Sequence, residues 1–330
     1  MPSESITSKA AGVTAPRDKI VFALRADWHQ YVVYAAFVLI FVFFAVTLRD
    51  QGFLSTDNLL NIVRQTAIIA IMAMAMTFVL SAGEIDLSIG SIAGLVSVVT
   101  ALVLNDHGWP LAVAAGLATG MLVGVVNGCL TAWVGVPSFL ATLGMMGIAR
   151  GAGMWVSQTA AVPIVDKRFS YIFGSGNIGP LPVLVLWMAA MAIVAHVALR
   201  NTPFGQRVLA TGGGETAARY SGVNTRLIKF QVLLLTAVAA SLAGMLYAGR
   251  LRSGRFQLGE GDELSVIAAA VLGGTSLFGG SGTVVGSIVG ALLIGIINNG
   301  LILMGLEYSQ QLMVRGLLIV LAVAVRRGAR

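Results

Sequence analysis

Glu84 and Asp86 stand two residues apart in Ser81-Ala82-Gly83-Glu84-Ile85-Asp86-Leu87-Ser88-Ile89-Gly90, between two long uncharged stretches. Carboxylates at this spacing have three chemistries open to them. They could act as acid and base on a lipid-linked sugar. With Ser88 they could line a polar vestibule passed by a hydroxylated solute. Or they could be structural, Gly83 ending one helix and Asp86 capping the next by accepting backbone N–H groups that lipid cannot satisfy. Asp262-Glu263-Leu264-Ser265 poses the same choice. Asn127, Asn298 and Asn299 lie deep in uncharged segments, where amides either bond between helices or line a path.

Other chemistry is excluded by spacing. Gly174-Ser175-Gly176-Asn177-Ile178-Gly179 satisfies GxGxxG, but no strand precedes it, so a dinucleotide fold is not expected. Gly274 to Ser281 has phosphate-loop spacing, yet Gly280 occupies the position of the phosphate lysine, so the chain should not bind ATP itself. His29, His107 and His196 have no partner at ligand spacing. The single cysteine, Cys129, sits in an apolar run and removes any disulfide framework. Neither catalysis by this chain nor a resident cofactor or metal is expected.

The elements that position these residues are membrane spans. Of 330 residues, 57% are hydrophobic and 11% charged, where a water-facing protein needs about 25% charged. Forty glycines and six tyrosines suit closely packed helices rather than a barrel with aromatic girdles. The expected fold is all-α and polytopic, with about ten transmembrane helices. Residues 1–27 form a cytoplasmic tail carrying Lys9, Arg17, Lys19 and Arg25, without the early apolar core of a cleavable signal. Spans are expected at 31–48, 65–83, 87–105, two within 107–149 broken at Gly135-Val136-Pro137, 181–199, 230–249, two within 264–306 broken at Gly279 to Gly282, and 310–325. Residues 158–180 form an external loop, and residues 200–229 a cytoplasmic connector. The N-terminal tail, that connector and the C-terminus hold twelve of the 21 Lys and Arg, which puts them and both termini inside and explains a net charge of +7 without nucleic acid. The same count leaves Arg250, Arg252 and Arg255 outside.

The halves echo each other. Gly116, Gly120, Gly124, Asn127 and Gly128 return as Gly286, Gly290, Gly295, Asn299 and Gly300, and Ile85-Asp86-Leu87-Ser88 returns loosely as Asp262-Glu263-Leu264-Ser265. Each pair lies five spans apart. An odd offset inverts the second repeat, giving five-helix repeats over 28–180 and 181–330, an arrangement of solute transporters. Within the connector, three glycines precede a short helix at Glu215 to Ser221, too brief to persist without something to dock on.

At this connector the chain resembles the permease subunits of bacterial ABC importers, the binding-protein-dependent inner-membrane component family, and within it the ribose-type monosaccharide permeases. The residues that carry this are G-E-I-D-L-S-I-G at 83–90, T-P-F-G-Q-R-V-L-A-T-G at 202–212, A-A-R-Y-S-G-V at 217–223, V-L-G-G-T-S-L-F-G-G-S-G-T at 271–283 and N-N-G at 298–300. The resemblance implies a non-catalytic inner-membrane subunit that passes a monosaccharide delivered by an extracytoplasmic binding protein. ATP and Mg would be bound by a separate ABC ATPase subunit. It implies that Glu215, Ala217, Ala218, Arg219, Ser221 and Gly222 form a coupling helix seated on that ATPase, and that a second permease copy completes the unit in membrane lipid. Glu84, Asp86, Ser88, Asn127, Asp262, Glu263, Asn298 and Asn299 are the candidates for lining the path, and residues 49–64 a landing surface for the binding protein. Branched-chain amino-acid permeases are similar relatives, and an ion-coupled sugar carrier is the rival within transport.

Overall fold

The computed structural model describes residues 33–307, 309–314 and 316–317. The tail expected at 1–27 and most of the last span, 310–325, lie outside the described residues. The chain is built of helices α1 (Val33–Thr47), α2 (Thr56–Ser81), α3 (Ile89–His107), α4 (Trp109–Cys129), α5 (Ser138–Ser157), α6 (Lys167–Ser170), α7 (Val183–Arg200), α8 (Pro203–Gly213), α9 (Glu215–Tyr220), α10 (Thr225–Leu251), α11 (Asp262–Leu272) and α12 (Val284–Leu303). A π-helical turn, Leu130–Val134, continues α4 up to left-handed Gly135.

Seven of the described helices are long and apolar enough to cross a membrane: α2, α3, α4 with its π turn, α5, α7, α10 and α12. The expectation of ten full spans therefore changes in a definite way. Helix α11 has eleven residues and rises about 16 Å, half a hydrocarbon core. The uncharged run from 264 was long enough for two crossings, but Gly273 and Gly274 end α11 early and the chain stays irregular until Thr283, whose side chain caps α12. In the other direction, α2 begins at Thr56 rather than 65, because Ser55 accepts the Asn58 N–H at 3.3 Å and Asp57 suits a first turn. An uncharged window marks the lipid-crossing part of a helix and not its ends. Much of the 49–64 segment, expected as a landing surface, is thus helical, and Phe53 within it is buried against Phe41 and Phe44.

Two small ladders depart from the all-α expectation. Val162–Pro163 pairs antiparallel with Ser253–Gly254, and Asn177–Ile178 with Leu181–Pro182. Both join chain segments that would otherwise leave backbone groups unpaired at one end of the bundle. The GxGxxG run begins in a π-helical turn, Tyr171–Ser175, and ends in the second hairpin.

Helices α2, α3 and α10 form the centre, with 72–78% of their most apolar stretch buried, against 17–28% for α4, α5 and α7. Helix α10 packs on α3 and α4 while α2 packs on α11 and α12; α3 packs on α4 as α11 does on α12, and α2 meets α10. Exchanging α2 with α10, α3 with α11 and α4 with α12 maps these contacts onto one another. Close approach depends on small residues: a Cβ on Gly120 would strike the Ser241 hydroxyl of α10, and one on Gly290 the Ala269 carbonyl of α11. At the middle of the bundle the first turns of α3 and α11 converge, since a Cβ on Gly90 would collide with the Gly259 carbonyl and crowd the Glu263 side chain.

Candidate functional site

The 200–229 connector folds as two helices. Pro203 at the first position and the Thr202 hydroxyl, accepting from Gly205 N–H at 3.3 Å, start α8. Phe204 stacks on Phe78 with ring centroids 5.9 Å apart, and Gly212 lies against the Ser81 carbonyl that accepts from Gly280 N–H at 2.9 Å. Helix α8 therefore rests on the last turn of α2 and on the loop between α11 and α12. The sequence expectation of one short helix missed it because Gly212-Gly213, taken as a break, lie within its last turn.

Helix α9 has six residues and ends at Gly222, where φ is +86° and an L side chain would be strained. Ala218 is buried, Tyr220 is 89% exposed, and Arg219 faces out. Of the other residues assigned to this helix, Ala217, Ser221 and Gly222 are exposed and Glu215 faces inward. Glu215 accepts from Lys229 at 2.8 Å, Arg219 at 2.9 Å and Thr225 at 3.2 Å. The Lys229 hydrogen bond, aided by that lysine's charge and the two further donors, holds the Glu215 carboxyl below the usual glutamate range.

Lys229 reaches further. Its ammonium also donates to Glu84 at 2.9 Å, so one lysine in the first turn of α10 joins α9 to the stretch between α2 and α3. These groups, with Arg219, Arg226 and the Thr131 to Pro137 turn, line a cleft of about 340 Å³.

After the turn at Ala82-Gly83 the chain runs without helix to Ser88 and is bonded to its neighbours. Ile85 N–H donates to the Ser138 hydroxyl and Leu87 N–H to Thr142, each at 3.0 Å, so the first turn of α5 supplies the acceptors that lipid lacks. Asp86 is wholly buried: one carboxylate oxygen accepts from Ser88 N–H at 2.8 Å and the Ser88 hydroxyl at 2.6 Å, the other from Thr236 of α10 at 2.6 Å. Asn127 of α4 donates to the Ser88 hydroxyl at 2.9 Å. Asp86, Ser88 and Asn127 thus form one buried knot joining α3, α4 and α10, and neither Asp86 nor ion-paired Glu84 stands free as an acid or base.

The remaining path candidates separate. Asn299 pairs reciprocally with Asn58 of α2, at 2.8 and 3.0 Å, and Asn298 is half-buried beside it. Asp262 accepts from the Tyr247 hydroxyl at 2.6 Å. Glu263 lies on the first turn of α11 with one carboxylate oxygen buried and unbonded, and the Arg150 Nε is in the same condition while its Nη1 pairs with Glu260 at 3.0 Å. The eight candidates therefore fall into three places: the knot with Glu84, the α11 start, and the α2–α12 contact. Sequence reasoning missed Lys229, Thr236, Ser138, Thr142 and Arg150. Lys229 carried a signal, being one of only four lysines and the last charge before a 20-residue apolar run; Thr236 and Thr142 carried none.

Among the described residues no group of His, Cys, Asp or Glu is arranged to hold a metal ion.

Comparison with known proteins places these features in context. Residues 58–323 match the family described as branched-chain amino acid transport system / permease component. The chain is 40% identical over 286 residues to the ribose import permease protein RbsC of Escherichia coli K12, covering 85% of this chain and 88% of the relative. It is 33% identical over 312 residues to the D-allose transport system permease protein AlsC of the same organism, covering 94% and 95%. It is 35% identical over 290 residues to the L-arabinose ABC transporter permease protein AraH of Azospirillum brasilense, covering 87% and 84%. No solved structure matches the chain.

Proposed function

The chain belongs to the branched-chain amino acid transport system / permease component family, a multi-pass inner-membrane permease subunit without catalytic activity of its own, and from that premise we propose that it translocates a monosaccharide. The relatives' names, ribose, allose and arabinose permeases, support a sugar over an amino acid. An importer of this kind works with an ABC ATPase, which would bind ATP and Mg, and with an extracytoplasmic binding protein.

The observation that carries this reading is α9. Six residues cannot form a stable helix alone, yet this one is held by Ala218 and Glu215 on its inner side and presents Arg219 and Tyr220 outward. That is the shape of a docking element for a motor subunit. Glu215, Ala217, Ala218, Arg219, Ser221 and Gly222 would be its contact, on the cytoplasmic side with both termini. Two such helices would engage two motor domains, which calls for a second permease copy. An unpartnered face of α5 suits that copy, since Gly144, Gly147 and Gly151 have nothing within 4 Å of an added Cβ and small residues let transmembrane helices approach closely. The exchange of contacts between α2–α4 and α10–α12 supports two inverted repeats over 28–180 and 181–330, with ten apolar segments once α1, the half-length α11 and the apolar sequence 310–325 are counted. A path between the α3 and α11 starts would pass Glu263 and Arg150, whose unbonded atoms can exchange hydrogen bonds with a polyol.

Reconstitution in proteoliposomes with the ATPase and the binding protein tests the proposal. ATP-dependent accumulation of a pentose or hexose is expected, with Gly222→Pro and Ala218→Glu abolishing it while membrane insertion persists. Uptake of a branched-chain amino acid in place of sugar, or accumulation without the ATPase under an ion gradient, would overturn it.

A further inference from the structure

We propose that Lys229 is the positioning residue that transmits movement of α9 to the 82–88 stretch, and through it to the Asp86 knot at the start of α3. The inference rests on the docking role proposed for α9.

The geometry supplies few other routes. Helix α9 is followed by Gly222, where the backbone turns, and the loop to Asn224, so its covalent link to α10 contains a flexible residue. Its inner face otherwise offers the small Ala218 and the longer Thr225 hydrogen bond to Glu215, 3.2 Å, which stays within the α9–α10 corner. The polar tie is the firm one: Glu215 and Glu84 are both bonded to one ammonium, at 2.8 and 2.9 Å. Side chains of Lys229 and Glu84 are 19% and 11% exposed, so this pair is poorly screened and stiffer than a surface pair. Removing the lysine would leave a nearly buried Glu84 without its counter-charge.

What lies beyond Glu84 makes the tie useful. Gly83, with φ at +81°, turns the chain at the end of α2, and the Glu84 N–H caps that helix by donating to the Val79 carbonyl at 3.0 Å, so a displacement of Glu84 bends the chain at this cap. The next three residues are bonded in turn: Ile85 and Leu87 to the first turn of α5, Asp86 to α10 and to the start of α3. A shift of α9 that tilts Lys229 therefore acts on three helices together, on the starts of α5 and α3 and on α10 at Thr236, about three turns in. Two of these, α5 and α3, border the proposed path. A structural cap would need Asp86 alone; the Lys229 fork serves the connection from α9.

The test uses the full importer in proteoliposomes and measures ATP hydrolysis and sugar uptake on the same preparation. In Lys229→Met, sugar moved per ATP should fall at least about fivefold, with hydrolysis retained and the assembled complex recovered at wild-type level. Lys229→Arg should restore most of the ratio. Glu84→Gln should reproduce the defect, and the double variant should be no worse than either single one, since both cut the same link. An unchanged ratio in Lys229→Met, or fully additive losses in the double variant, overturns the proposal. Should Lys229→Met fail to assemble, Glu84→Gln decides: it leaves Lys229 on Glu215, and normal coupling there overturns the proposal. Wild-type complex that shows no ATP-dependent uptake would instead reject the docking role on which the inference rests.

Discussion

Two of the places where the chain departs from helix inside the bundle, before α3 and before α11, are built from echoing sequences, yet they are finished differently. Between α2 and α3 both carboxylate oxygens of Asp86 are engaged, and α3, α5 and α10 are bonded to the four residues that follow Gly83. Before α11, Glu263 keeps a buried carboxylate oxygen with no partner, and Arg150 nearby keeps an unbonded Nε. A carboxylate bonded at both oxygens in a low-dielectric setting is held stiffly, even with the Asn127 Oδ1 beside it unbonded, whereas a carboxylate with a bare oxygen has capacity for a passing ligand. The contrast separates a fixed pivot from a place of exchange.

The largest effect should come from Asp86→Ala, which removes a buried carboxylate that accepts three hydrogen bonds and orphans the Ser88 N–H, while Thr236 falls back on the Leu233 carbonyl at 2.9 Å. Bonds to a charged group are worth about 1.5–3 kcal/mol each and buried donors left bare cost more, so the loss should exceed about 3 kcal/mol. It should appear as little monodisperse protein in detergent and a much lower Tm. Full recovery of folded protein with loss of uptake alone would move Asp86 from the pivot to the path and erase the contrast.

A second, smaller effect is expected at the point where the two breaks touch. Gly90→Val places methyl groups against the Gly259 carbonyl and the Glu263 side chain, and overpacking of this kind costs about 1–3 kcal/mol. Gly144→Ala, with open space around its Cβ, should change the stability of the isolated chain by less than about 0.5 kcal/mol. Equal Tm shifts in the two variants would show that α3 and α11 do not converge as closely as described.

How far these differences were legible in sequence follows from the physics of each. The spans could be read because lipid excludes charge, and the close helix contacts because they demand glycine at helical spacing, as at Gly120 and Gly290. The half-length of α11 could not: composition cannot tell a run that crosses twice from one that crosses once and a half, and only the packing of Gly273 on Gly286 fixes where it stops. The carboxylates were visible but their states were not. Asp86 and Glu263 differ through partners on α10 and α5 that lie far off in the chain, and hydroxyls such as Thr236 and Thr142 look like any other small residue of a membrane helix.

Glu263→Gln sharpens the comparison from the open side. With one oxygen already unbonded, loss of charge should change Tm by no more than about 0.5 kcal/mol equivalent, while sugar uptake by the reconstituted importer falls. Asp86→Asn, equally conservative, should lower Tm measurably because its amide cannot accept at both ends of the knot. If Glu263→Gln destabilises as much as Asp86→Asn, the two breaks are alike and the exchange role is lost.

The smallest effect concerns the rim of the pivot, and its sign can be worked out. Glu215 has a depressed pKa in the folded chain, chiefly through the Lys229 hydrogen bond. Its contribution is therefore fully present above the ordinary glutamate pKa of about 4.3 and is lost as pH falls through the lower folded value. The difference in Tm between the wild type and Glu215→Gln should be constant at neutral pH and shrink only in the acid range below that ordinary value. Because the Glu215 side chain is 38% exposed, water screens the pair and the difference should be modest. Glu84, bonded to the same lysine at 11% exposure, provides the internal control: Glu84→Gln should lower Tm more than Glu215→Gln at neutral pH. The reverse order would mean that Lys229 is anchored mainly to α9, so that the stretch before α3 is not held from the connector at all.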